Sequence, residues 1–126
     1  MANTKVYIKC MQDESYNMHV ICEGHKQKIY KIEKGTFLLD IEHRFRFRWE
    51  NPFIEKPDKV HVEDTFDMPP VNKYSADVYI EKYVLRIDFE DDGLAMELAE
   101  NDIQDLVAFT ILDAYKILRW GSVCWR

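Results

Sequence analysis

The sequence predicts an α+β fold: a curved antiparallel sheet or partial barrel of about 6–7 strands, packed on one long C-terminal helix over about residues 102–120. Three observations predict it. Apolar and polar residues alternate in a series of short segments between Val6 and Phe89. All four prolines lie between residues 52 and 70, so residues that break ladders and helix interiors are absent elsewhere. After residue 101 the apolar period changes from two to that of a helix.

The strands follow in order. Val6, Ile8 and Cys10 alternate with Lys5, Tyr7 and Lys9; "DES" marks a turn, and Tyr16, Met18, Val20 and Cys22 alternate again. After Gly24, "QKIYKIEK" reads as a third strand. From Phe37 to Trp49 the odd positions are apolar or aromatic apart from His43, with Arg44, Arg46 and Arg48 opposite, which predicts one long strand or two joined at a bend. Residues 51–72 hold the prolines and are expected to form a long acidic surface loop, in which "KVHVE" admits a short strand. Ala76, Val78 and Ile80 alternate, and the apolar parity then shifts to Tyr83, Leu85, Ile87 and Phe89. A bulge or tight turn at Glu81 and Lys82 accounts for that shift. Asp92-Gly93 is a hairpin signal, which favours a strand for "LAMELA" over the start of a helix.

The last element is the most clearly written. Asn101 with Gln104 three residues on predicts the helix start, and Gly121 predicts its end. Ile103, Leu106, Val107, Thr110, Ile111, Ala114, Ile117 and Leu118 form one stripe, and Phe109, Leu112 and Tyr115 widen it beyond what a one-sided surface helix needs. Such a helix is either deeply embedded or touches a partner. This order of elements resembles in outline the pleckstrin-homology-like and other small barrel-plus-helix folds, a likeness of topology alone.

At 126 residues, nearly half of them apolar, the chain is expected to form a single domain, 1–126, around one core. It holds no apolar run long enough to span a bilayer, and "MANTKVYIKC" lacks the apolar stretch of a signal peptide, so no membrane insertion and a cytoplasmic location are expected. Three cysteines are too few for a disulfide framework and are expected to be thiols.

Charge is segregated. Residues 1–48 carry nine Lys/Arg against six Asp/Glu, and residues 50–113 carry five against seventeen. A field of that sign repels phosphates and attracts basic surfaces. The arginines of "RFRFRW" point to the opposite side from Phe45, Phe47 and Trp49 in a regular strand, so rings and cations cannot meet one nucleotide, and direct nucleic-acid binding is not expected. Their expected partners are carboxylates on neighbouring strands: Asp77, Glu81, Asp88 and Glu90.

No reaction machinery is legible. There is no phosphate loop, no nucleophile elbow and no Cys-His signature, and "FEDDG" lacks the alternating oxygen ligands of a calcium loop. His19 and Cys22 fall on opposite faces of a regular strand, against a zinc site with His25 and Cys10. Neither a metal nor a cofactor is expected, and no catalytic residue is assigned. The expected function is non-catalytic binding of a basic protein surface, as an inhibitor or immunity-type factor blocking a basic nucleic-acid-handling protein. Glu55, Asp58, Glu63, Asp64, Phe66 and Asp67 are the candidate partner-binding residues, the carboxylates steering and the ring anchoring. In a plain connection, Phe53 and Phe66 would instead tuck onto the core. Two alternatives stand beside this reading: a small-ligand module with an apolar pocket between sheet and helix, and a homodimer formed through the C-terminal helix.

Overall fold

The computed structural model describes residues 3–10, 16–32, 58–69, 71–81 and 84–124. Six strands form one curved, open antiparallel sheet: β1 (Thr4–Cys10), β2 (Tyr16–Ile21), β3 (Lys28–Ile32), β4 (Asp58–Met68), β5 (Val71–Glu81) and β6 (Val84–Phe89), in the spatial order β3-β2-β1-β6-β5-β4. Two three-stranded meanders are thus joined through the β1–β6 pair. Among the described residues β3 and β4 are the edges, so the sheet stays open rather than closing into a barrel. A single 3-10 turn, Leu94–Glu97, leads into the helix α1 (Glu100–Cys124), which packs on β4 and β5.

Alternation decides which side chains enter the core. Val6 and Ile8 of β1, Met18 and Val20 of β2, Ala76 and Val78 of β5, and Leu85, Ile87 and Phe89 of β6 all point to the helix side and are buried. From α1 come Ile103, Leu106, Val107, Ile111 and Ala114, spaced to form one stripe. Thr110 lies in that stripe and satisfies its hydroxyl by donating to the carbonyl of Leu106 at 2.7 Å. Phe109, on the widened arc, is about half exposed at 48%, and Ile117, expected in the stripe, is likewise exposed at 46%, because the buried contact with the sheet does not extend to that turn of the helix.

Several expectations are corrected. Residues 58–72 are not a loop: β4 and the start of β5 occupy them as a hairpin with Met68 opposite Val71. The prolines flank β4 instead of breaking it, since Pro57 precedes its first residue and Pro69 follows its last. The register steps from Thr65 opposite Lys73 to Met68 opposite Val71, so Phe66 and Asp67 oppose the single Asn72 in a bulge. Phe66 is buried, at 7% exposure, and meets the Phe109 ring edge-on at 5.9 Å. It belongs to the core and is not an exposed anchor.

"LAMELA" is not a strand. Gly93 at φ 84° and Asp92 at φ 52° turn the chain into the 3-10 turn, which buries Ala95 and Met96. The parity shift after Ile80 is a tight hairpin, because Glu81 pairs with Val84. The helix begins one residue before Asn101 and continues through Gly121, a position that costs about 1 kcal/mol relative to alanine yet does not end a helix of this length. The predicted strand at 37–49, with Arg44, Arg46, Arg48 and the facing rings, lies outside the described residues.

Candidate functional site

The unequal lengths of β5 and β6 create an opening at one end of the sheet. β6 pairs with β5 only as far as Phe89 opposite Ala76, and Glu90 adds one hydrogen bond, N–H to the Ser75 carbonyl at 2.9 Å. The chain then leaves β5. The Asp91 carboxylate draws it away: Oδ1 accepts from the N–H groups of Thr4 (2.9 Å) and Gly93 (3.1 Å), and Oδ2 accepts from Ala95 (2.8 Å). One side chain thereby ties β1, the turn and the 3-10 segment together and leaves residues 71–74 of β5 projecting beyond β6.

Between that projection and α1 lies a cavity of about 750 Å3. Its floor is apolar, with Val71, Tyr74, Phe89, Ala95 and Leu106. Among the described residues its rim carries five carboxylates, Glu63, Asp64, Glu90, Asp91 and Asp92, against one cation, Lys73. These five are not equivalent. Asp91 is committed to three main-chain donors, whereas Glu90 and Asp92 are exposed and reach no cation among the described residues.

Asp64 is tied to a second group. It faces the helix side of β4 next to Asp113 of α1, and the Tyr74 hydroxyl donates a short hydrogen bond to Asp113 Oδ2. Burial first, then the proximity of Asp64, hold the Asp113 carboxyl above the ordinary aspartate range, while the hydrogen bond from Asp113 lowers Asp64. The two carboxyls titrate as a pair, with Asp113 the more reluctant of the two to ionise. Burial, reinforced by Asp113, pushes the Tyr74 phenol well up, so it keeps the proton it donates to Asp113.

Glu63 belongs to a different group on the opposite face. His61 lies across from Asp77 and Glu63 across from Ser75, giving four side chains on one patch of the β4–β5 ladder. The His61 ring bridges two carboxylates, with Nδ1 2.8 Å from Asp77 Oδ1 and Nε2 3.1 Å from Glu63 Oε1. Hydrogen bonding to Glu63, then to Asp77, raises the His61 pKa, and His61 in turn lowers that of Glu63. Ser75 Oγ lies 3.4 Å from His61 Nε2, so serine, histidine and aspartate are together. They are not poised for nucleophilic attack. While both ring nitrogens donate to carboxylates, as they do in the imidazolium, no imidazole lone pair is free to take the serine proton.

Other outer-face charges pair locally. Arg86 donates to both Asp88 oxygens at 3.1 and 2.7 Å and stacks over the Tyr79 ring at 4.4 Å, and Lys59 approaches Asp77 at 3.8 Å. Two of the carboxylates expected opposite the arginine row, Asp77 and Asp88, are thus already engaged. Among the described residues no group of three or more His, Cys, Asp or Glu could hold a metal ion, and no helix is long and apolar enough to cross a membrane.

The structure therefore divides the candidate residues. Glu63 and Asp64 both reach the cavity rim, but from opposite faces of β4; Asp67 is exposed on the bulge; Phe66 is in the core; Asp58 begins β4; and Glu55 lies outside the described residues. Glu90, Asp91 and Asp92 complete the rim, although the sequence places Glu90 opposite the arginine row and Asp92 in a hairpin signal and assigns none of the three to a site. Their signal was "FEDDG" itself, but a turn sequence does not say which strand end it will stand beside. No family model, curated protein or solved structure matches the chain.

Proposed function

We propose that the protein is a non-catalytic binding protein that receives a basic group of a partner protein at the acidic end of its sheet. The observation that carries this reading is the apolar-floored cavity of about 750 Å3 with five rim carboxylates against one lysine. The rim charges steer a cation inward, and the floor accepts the methylene stem of a lysine or arginine. An inhibitor or immunity-type role against a basic nucleic-acid-handling protein is the setting this chemistry suits, because such a target offers many exposed lysines and arginines.

Fluorescence anisotropy with a labelled octalysine peptide as a stand-in for the partner tests the reading. Binding should weaken as salt is raised, and the double reversal E90K/D92K should reduce affinity by roughly tenfold at low salt. Affinity that ignores both salt and the reversal would remove it.

The cavity volume also favours a second reading. It falls within the range of small-molecule sites, roughly 300–1,000 Å3, so a small cationic ligand with an apolar body could occupy the same place. A thermal-shift screen of organic amines separates the two, since a small ligand that saturates the site would stabilise the protein without any polypeptide partner.

A further inference from the structure

Glu63 is the one rim carboxylate that shares its proton-bearing partner with the outer face of the sheet. Its Oε1 lies 3.1 Å from His61 Nε2, while the other ring nitrogen lies 2.8 Å from Asp77. An imidazole can donate from both nitrogens only as the imidazolium. In that form His61 sets one positive charge between two negative ones, and one of those two belongs to the cavity. The neutral ring donates from one nitrogen only; with the shorter contact, 2.8 Å to Asp77, kept through Nδ1–H, Glu63 is the carboxylate left without compensation.

We infer that His61 is a proton-operated gate on the acidic cavity: protonated, it masks Glu63 and weakens capture of a basic group; neutral, it releases Glu63 and strengthens capture. The inference rests on the basic-partner reading above and adds its regulation. Among the described residues the groups facing His61 are few. From β4 come Glu63 and Lys59, the latter shared with Asp77; from β5 come Asp77 and Ser75; and from β6 comes Glu90, 3.5 Å from the Ser75 hydroxyl. Carboxylates dominate that set, and hydrogen bonding to them, to Glu63 first, keeps the ring charged above the ordinary histidine range. The gate therefore operates above the ordinary histidine range. Ser75 accompanies Glu63, since its hydroxyl lies 3.4 Å from Oε1 and can follow the carboxylate when His61 lets go.

The test uses the full chain and the labelled octalysine peptide, whose lysines stay charged throughout the range. Affinity is measured at low salt from about pH 5.5 to 8.5, and the His61 ring is titrated by NMR in parallel. Affinity should rise with pH by about two- to fivefold, the worth of one partly screened surface charge, with a midpoint that coincides with the His61 titration. H61Q should bind at the high-pH level and H61K at the low-pH level, each without that step. A rise that persists in H61Q, or wild-type affinity that stays flat while His61 titrates, would overturn the gate and leave the basic-partner reading intact. Absence of peptide binding at every pH would instead remove the basic-partner reading itself. Thermal melts of both variants show whether the fold is retained, and the ring titration reads the wild-type chain alone.

Discussion

Replacing Asp91 isolates the side chain that holds the site open. Its two oxygens accept from three main-chain N–H groups on three separate pieces of structure, Thr4 in β1, Gly93 in the turn and Ala95 in the 3-10 segment. Hydrogen bonds to a charged acceptor contribute about 1.5–3 kcal/mol each in favourable settings, but a partly exposed turn lets water replace some of them. A cap-like carboxylate removed to alanine costs about 0.5–2 kcal/mol for one donor, and Thr4, whose side chain is fully buried, has the least access to replacement water. Asp91→Ala should therefore cost about 2–4 kcal/mol. Asp91→Asn keeps one oxygen for Thr4 and Gly93 and loses only the Ala95 bond and the charge, so it should cost about 1 kcal/mol. Urea unfolding followed by circular dichroism measures both, and amide exchange at Thr4 reports the local opening. Equal midpoints for wild type and Asp91→Ala, within about 0.5 kcal/mol, would refute the reasoning.

Three further outcomes are expected. Gly93→Ala places a Cβ 3.2 Å from both Cys22 Sγ and His25 Nε2 at φ 84°, so it should destabilise by about 1–2 kcal/mol in the same urea assay. Phe66→Ala should cost about 3 kcal/mol, as a core truncation does, and leave peptide affinity of the folded protein unchanged; calorimetry and anisotropy read the two effects separately. Asp113 releases its proton later in the folded protein than in the unfolded chain, so its contribution to stability falls as pH rises from the ordinary value of 3.8 through the raised one. Asp113→Asn, which keeps an acceptor for Tyr74 and a donor for Asp64, should abolish that part of the pH dependence and leave the protein at neutral pH as stable as wild type or more so.

Most of the sheet could be read from the chain because its strands bury one face only. In β1, β2, β5 and β6 every second residue is apolar, and the parity change after Ile80 marks the hairpin to Val84. β4 was obscured for two physical reasons. Its helix-facing position 64 holds an aspartate, which interrupts the alternation of Val60, Val62 and Phe66, and its flanking prolines resemble a loop composition. Asp64 is tolerated there because it meets the Asp113 carboxyl, a contact 49 positions away in sequence that no local pattern encodes. The 3-10 turn was misread because Asp-Gly serves tight turns of several kinds, and only the tertiary demand of Asp91 for three donors selects this one. The cavity was illegible for the same reason: it exists because β6 ends before β5 begins, a matter of register between strands.

Mapping the octalysine site on the isotopically labelled chain tests the central claim most directly. Amide shifts should change most at Lys73, Ser75, Glu90 and Asp92, fade with added salt, and leave Ile21 and Ile29 at the far side of the sheet unmoved. Perturbations centred on Ile21 and Ile29, or spread evenly over the surface, would contradict the account.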